Sequence, residues 1–193
     1  KYYPADVFTP TETGEIPVLP MTAKDELSFK TPDAMISGQA TVDVIKSCIP
    51  NLLDPWKMVN YDTDAILLAI RIATYGETMN ITYKVPTINE EMEHTVNLPA
   101  KLEEFGKIDV VDTASTKKGF KFKVAPLDYK SLTAVQVAQF EQQKIYVTVN
   151  NSAMTEDQKS KQFAKSFAVL NNINFGMLVD SITEITTPGG DTV

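Results

Sequence analysis

TPDAMISGQATVDVIKSCIPNLLDPWKMVNYDTDAILLAIRIATYG, residues 31–76, reads as two helices joined by a proline-punctuated turn. Thr31 is placed to cap the first helix, and Pro32 suits a first helical position, where its missing N–H removes no hydrogen bond. Asp33 adds negative charge at the positive end of the helix dipole. Met35, Val42, Ile45 and Ile49 recur near helical spacing and predict one buried face. Gly38 falls inside this pattern and costs ~1 kcal/mol relative to alanine, either as a site of close helix packing or as a tolerated interruption. Pro50 stops the helix. The turn carries Pro55 and Trp56, the sole tryptophan. A single tryptophan in a turn either plugs a core edge or stands out as an anchor for a partner. Asp62 or Asp64 then opens a second helix in which Ile66, Leu67, Ile70 and Ala73 are interrupted by one charge, Arg71. So apolar a circumference predicts a central helix, and Gly76 ends it. At about fifteen residues it is too short to cross a bilayer.

The 193 residues suit one domain, or one domain and a small appendage, with room for a sizeable core. A hydrophobic content of 43% separates the chain from disordered sequences. Its net charge of −7 opposes generic nucleic-acid binding and attraction to anionic membranes. Nothing has the length or apolarity of a transmembrane helix, and KYYPADVFTP lacks the apolar core of a signal peptide. The single cysteine, Cys48, leaves no internal disulfide framework and suits a reducing compartment. Its place near the inward side of its helix predicts a small buried hydrophobe rather than a nucleophile.

Residues 1–28 have a different texture. Pro4, Pro10, Pro17 and Pro20 oppose helix and favour extended backbone. Tyr2, Tyr3, Val7, Phe8, Ile16, Val18 and Leu19 are more apolar than a simple disordered tail requires. The segment therefore reads as an extended N-terminal arm that packs along its own domain or onto a partner, with a flexible tail as the plainer alternative. Tyr2, Tyr3, Phe8, Ile16, Val18 and Leu19, together with Trp56, are the candidate partner-binding residues. The remainder, 29–193, is expected to be a single α+β globular domain that folds without the arm.

Beyond Gly76 the helical period gives way to alternation. Met79 to Val85 predicts a strand and Glu91 to Leu98 its antiparallel return. Pro99 to Phe105 predicts a short helix. A second hairpin is expected from Ile108 to Val111 and Phe120 to Val124, joined by a polar loop from Thr113 to Gly119. Phe120, Phe122 and Val124 alternate with Lys121 and Lys123, as on a sheet with one wet face. A helix follows from Leu127-Asp128, running on or fraying near Asn150. Thr155-Glu156-Asp157-Gln158 is a capping box. It opens a long helical segment marked by Phe163, Phe167, Leu170, Phe175, Leu178, Ile182 and Ile185, with a kink expected near Asn171-Asn172 or Gly176. The fold class is thus α+β: a mainly helical core, two small antiparallel hairpins and the arm.

Residues for catalysis are sparse. His94 is the one histidine, on a predicted strand among Glu90, Glu91 and Glu93, and every Ser-His-Asp or Cys-His set needs it. One cysteine and one histidine do not make a Cys/His zinc site. Asp62/Asp64, Glu103/Glu104 and Glu156/Asp157 sit where helix starts and wet faces place them. No loop has EF-hand spacing, and the glycines form neither a dinucleotide-binding fingerprint nor a P-loop. Lys117, Lys118, Lys121 and Lys123 make a local basic stripe, suited to an acidic partner or simply to solvent. No catalytic, cofactor-binding or metal-binding residue is assigned, and no cofactor.

KTPDAMISGQATVDVIKSCIP, the DPW that follows and DTDAILLAIRIATYG resemble the N-terminal signature of the T4-type bacteriophage baseplate hub assembly family. APLDYKSLTAVQVAQFEQQKIY resembles its second recurring stretch, so the similarity spans roughly Phe29 to Ile185. Some members carry cysteine pairs in the hairpin after ATYG, in the manner of a zinc knuckle. Tyr83 to Glu90 have none here, and no metal is carried over. The resemblance implies a non-enzymatic contractile-tail protein, a hub subunit or an assembly chaperone. Its partners would be other baseplate hub and tail proteins, with no nucleic acid, membrane or small-molecule substrate. Its location would be the host cytoplasm during virion assembly, or the tail baseplate for a retained subunit. The competing readings are a carboxylate-dependent enzyme, which needs two acidic residues converging in a pocket, and a generic protein-binding adaptor.

Overall fold

The computed structural model describes residues 6–87, 90–107, 111–150 and 154–193. The fold is α+β, 53% helical, with one two-stranded and one three-stranded antiparallel sheet. Contacts group the chain into two compact units, Lys1–Asp109 and Val110–Val193. This grouping places the described part of the arm with the first unit and differs from a division into 1–28 and 29–193.

The first unit contains α1 (Ala23–Ser28), α2 (Pro32–Ile36), α3 (Gln39–Cys48), a 3₁₀ turn (Pro55–Lys57), α4 (Asn60–Tyr75), β1 (Thr78–Val85), β2 (Glu90–Asn97) and α5 (Leu98–Gly106). The helix expected from Thr31 to Ile49 is two helices. Gly38 adopts φ 75° and caps α3, a left-handed conformation that glycine enters without a Cβ penalty. It is not interior to a helix; it separates α2 from α3. The break also turns Met35 outward, at 45% exposure, against the expectation that it shares the buried face.

The first unit is centred on α3. Ala40, Thr41, Val42, Val44, Ile45 and Cys48 are all buried. Val44, Ile45, Cys48 and Ile49 join Val7, Leu52, Met58 and Ile70 in one core cluster. The helix predicted to be central, α4, flanks it instead: only Thr63 and Ile70 are buried there, and Ala73 is exposed. It begins at Asn60, capped by Val59, so Asp62 lies in the first turn rather than opening the helix. Arg71 resolves its charge over the Tyr75 ring, 4.4 Å from its centroid. The Tyr75 hydroxyl donates to Glu26 at 2.7 Å and so ties α4 to α1.

After Gly76 the chain forms β1 and β2 in the predicted antiparallel hairpin, in register from Thr78↔Asn97 to Val85↔Glu90. Its base is closed by the Leu98 N–H, which donates to the Glu77 carbonyl at 2.8 Å. Leu98, 2% exposed, begins α5 beneath it.

The second unit contains β3 (Thr113–Ser115), β4 (Lys121–Val124), α6 (Tyr129–Asn150), α7 (Glu156–Asp180) and β5 (Ile182–Thr186). Here the sequence expectation is corrected twice. Thr113 to Ser115, assigned to a loop, form the strand that pairs with β4. The strand proposed for Ile108 to Val111 falls largely outside the described residues, and Val111 itself is irregular and 76% exposed. Ile182 and Ile185, assigned to the long helix, lie on β5, the third strand of the sheet, alongside β4. ITEIT is rich in β-branched side chains that lose rotamer freedom in a helix, and this explains the switch. The Thr155–Gln158 capping box is present, and α7 runs unbroken through Asn171, Asn172 and Gly176. It packs on α6 through the Tyr146–Phe163 ring stack, centroids 5.1 Å apart. Two polar pairs accompany the stack, Ser166 donating to Gln142 at 2.9 Å and Gln139 to Asn174 at 3.0 Å.

Ile70 is 1% exposed within the core cluster. Ile70→Ala is expected to lower stability by about 2–5 kcal/mol, seen as a reduced urea midpoint at unchanged slope. An unaltered midpoint would contradict its placement.

Candidate interaction surface

The strap of residues 6–22 is stitched to the first unit by its backbone. The Val7 carbonyl accepts from the N–H groups of Leu53 and Asp54 at 2.8 and 3.3 Å. The Thr9 N–H donates to the Asn51 carbonyl at 2.8 Å, and Asn51 Nδ2 returns a bond to the Thr9 carbonyl. Phe8 and Leu52 form an antiparallel bridge. Further on, the Leu19 N–H donates to the Cys48 carbonyl at 2.8 Å, and Met21 N–H to the Thr74 hydroxyl at 2.9 Å. Lys57 pairs with Asp6, and this bond holds the Asp6 carboxyl below its usual range.

The strap ends on the capping box of α1. Burial pushes the Asp25 carboxyl up, but bonds from the Thr22 hydroxyl and N–H and from Ser47 outweigh it, with Lys24 assisting, and the net direction is down. Those bonds measure 2.7, 2.8 and 3.0 Å. Asp25 thereby joins the end of the strap to α3.

These contacts sort the candidate partner-binding residues. Phe8 and Val18 pack against the core cluster. Val7, 2% exposed, lies within it. The arm thus contributes a core side chain and backbone bonds to the first unit. Ile16 and Leu19 remain open, at 43% and 47% exposure. Trp56 is half-buried on the 3₁₀ turn, its N–H donating to Asp54 at 3.2 Å. Tyr2 and Tyr3 lie outside the described residues.

Two larger apolar faces were missed. On α7, Phe167, Phe175 and Leu178, which marked the long helical segment in the sequence, are 60%, 67% and 60% exposed. Their spacing of eight and three residues aligns them on one side of the helix. The other face belongs to the β1–β2 ribbon, where Ile81, Tyr83 and Met92 are 41%, 46% and 46% exposed. The alternation that identified the strand also marked this face, but not that it would stand open.

The chemistry-bearing residues are dispersed. His94 is exposed on β2, opposite Ile81. Cys48 is buried, and burial pushes its thiol up, with Asp25 adding to the effect. Burial alone raises Asp64, with no second carboxylate contributing. A hollow of about 390 Å³ between α6 and α7 is lined by Lys144, Ile145, Thr148, Val149, Met154 and Gln162, without a carboxylate, histidine or cysteine. Among the described residues no group of three or more His, Cys, Asp or Glu gathers to hold a metal, and no helix is long and apolar enough to cross a membrane.

Open apolar faces on a helix and a ribbon are surfaces of the kind that protein assemblies cover, and they place the chain among structural, assembly-forming proteins. It matches the family model for T4 bacteriophage base plate proteins over residues 7–193, and it belongs to that family. No curated protein and no solved structure matches it. The chain is a baseplate protein of a phage tail, with a structural role there among other tail proteins.

Asp25→Ala removes three accepted hydrogen bonds and is expected to cost about 1–3 kcal/mol near neutral pH. Because the carboxyl is depressed in the folded state, its contribution is full above the unfolded value of about 3.9 and fades as pH falls through the lower folded value. Urea unfolding of parent and variant at a series of pH values should show the gap narrowing in acid; a constant gap would contradict the charge-linked part.

Proposed function

We propose that this protein acts in construction of the baseplate hub, binding other hub and tail proteins and catalysing no reaction. The observation that carries this reading is the outward stripe of Phe167, Phe175 and Leu178 on a protein of the baseplate family. Aromatic and large aliphatic side chains held open on a rigid helix are suited to binding hot spots, and their exposure is costly unless a partner covers them. Of the strap residues, Ile16 and Leu19 are assigned to partner contact. Trp56 supports them from the 3₁₀ turn, and Tyr2 and Tyr3 extend the set toward the N-terminus. Phe8 and Val18 serve the fold first. Nucleic acid, membranes and small molecules have no part in this reading. The protein acts in the host cytoplasm during assembly, either as a transient chaperone or as a subunit carried into the finished tail.

Co-expression with each of the phage's other hub proteins is expected to yield a co-purifying complex, and Phe167→Ser with Phe175→Ser to weaken it by about tenfold or more at an unchanged unfolding midpoint. Stoichiometric presence in purified mature particles, measured by mass spectrometry, identifies a hub subunit, and absence identifies a chaperone. Normal tails from a phage lacking the gene would overturn the reading.

A further inference from the structure

The β1–β2 ribbon is an amphipathic sheet of two strands. Its register places Met79 beside Val96, Ile81 beside His94 and Tyr83 beside Met92. Strand side chains alternate between faces, so these pairs share one side. The other side carries Asn80 with Thr95, joined by a 2.9 Å hydrogen bond, Thr82 with Glu93, and Lys84 with Glu91. Each strand has eight residues, which gives a ribbon ~26 Å long. Among the described residues no third strand pairs with it. A two-stranded hairpin is marginally stable in water and gains stability when its apolar face is covered.

The charges on the ribbon select the cover. From Glu77 to Leu98 the acidic residues are Glu77, Glu90, Glu91 and Glu93, and the only base besides His94 is Lys84. Glu90, Glu91 and Glu93 are all exposed and crowd the tip half of β2. A second copy of this chain is a poor occupant. Its net charge is also −7, and its ribbon offers a single lysine against four glutamates. Like charges brought together at an interface oppose association.

We propose that the Met79–Ile81–Tyr83 face, with Met92 and Val96, docks on a different protein whose apolar patch is rimmed by lysine and arginine. The apolar side chains supply the buried area, and the acidic tip attracts the basic rim, with Glu90 on the docking side beside Val85 and Glu91 and Glu93 on the side behind it. This proposal rests on the reading that the chain binds other tail proteins, and it assigns the ribbon as one of the binding elements.

The test uses the full chain and each purified tail protein of the same phage, titrated in turn. Tyr83→Ser with Met92→Ser alters the apolar face. Glu91→Lys and Glu93→Lys together reverse the charge behind the docking face and leave the apolar face intact, so a folding defect in the first variant does not decide the outcome. Thr82→Ser on the opposite face is the control. For one partner, both test variants are expected to bind about tenfold or more weakly and the control as the parent does. Parent binding should also weaken between about 50 and 300 mM salt, a dependence the charge-reversed variant lacks. Equal binding by parent and both variants overturns the ribbon assignment and leaves the wider reading standing. Binding to no tail protein overturns both. A parent dimer in sedimentation that dissociates in the Tyr83→Ser, Met92→Ser variant overturns the choice of occupant.

Discussion

The backbone bonds between the strap and the far end of α3 are the interaction on which the first unit depends. A helix leaves its last carbonyls without internal partners, and where that end is buried something must supply the donors. The Cys48 and Asn51 carbonyls receive them from Leu19 and Thr9. The same pairing carries Val7 into the core cluster that Val44, Ile45, Cys48 and Ile49 help to form. Full burial of one such aliphatic side chain is worth roughly 1.5–3 kcal/mol, comparable to the cost of leaving a buried carbonyl unpaired. Neither half of the arrangement stands alone: without the strap the end of α3 is open to water, and without α3 the proline-rich strap has nothing to hold it extended. Prolines 10, 17 and 20 help by excluding helix from a segment that must stay extended.

The arrangement also explains which parts of the fold were legible. α1, within the segment read as an extended arm, β3 and β5 were missed. Period and alternation located α4, the β1–β2 hairpin, α5, β4, α6 and α7, because they report which residues must share a face. They did not report which face another element would cover. α4 looked central because its apolar run is long, whereas the spacing in α3 predicted only one buried face. Burial followed the number of neighbours: α3 is packed by the strap, α1, α2, the 3₁₀ turn and α4 together. Gly38 carried the one local signal that was misread. An isolated glycine in a helical pattern has two meanings, and only the backbone conformation, φ 75°, distinguishes a boundary from an interruption. The β5 strand was hidden by a similar ambiguity, since Ile182 and Ile185 are three residues apart, which fits a helix, within a β-branched run, which fits a strand.

The candidate surface was legible only in part, for a related reason. Apolar residues at helical spacing mark a helix, and Phe167, Phe175 and Leu178 did so without showing which of them another element would cover. In a unit built from two paired helices and a small sheet, α7 has apolar residues on more than the side it turns to α6. Tyr146, Gln142 and Gln139 occupy the inner side, meeting Phe163, Ser166 and Asn174. Ser166 and Asn174 are polar residues at positions a simple hydrophobic pattern assigns outward. Polar pairs accompany the Tyr146–Phe163 stack between the helices while Phe167 and Phe175 stay open, a partial inversion of the usual pattern that suits a surface to another molecule.

An inverted surface carries a solubility cost, and the composition supplies a counterweight. The net charge of −7 opposes self-association of open apolar faces. On the ribbon the opposition is local, because the glutamates of β2 share the hairpin with Ile81, Tyr83 and Met92. Charge of one sign placed around an apolar face does two things at once. It raises the barrier to joining another copy and lowers the barrier to joining a partner of the opposite sign. Under the proposed docking, discrimination of this kind matters as much as affinity, and it requires no buried charge. The apolar side chains can then be generic, since selectivity resides in the rim.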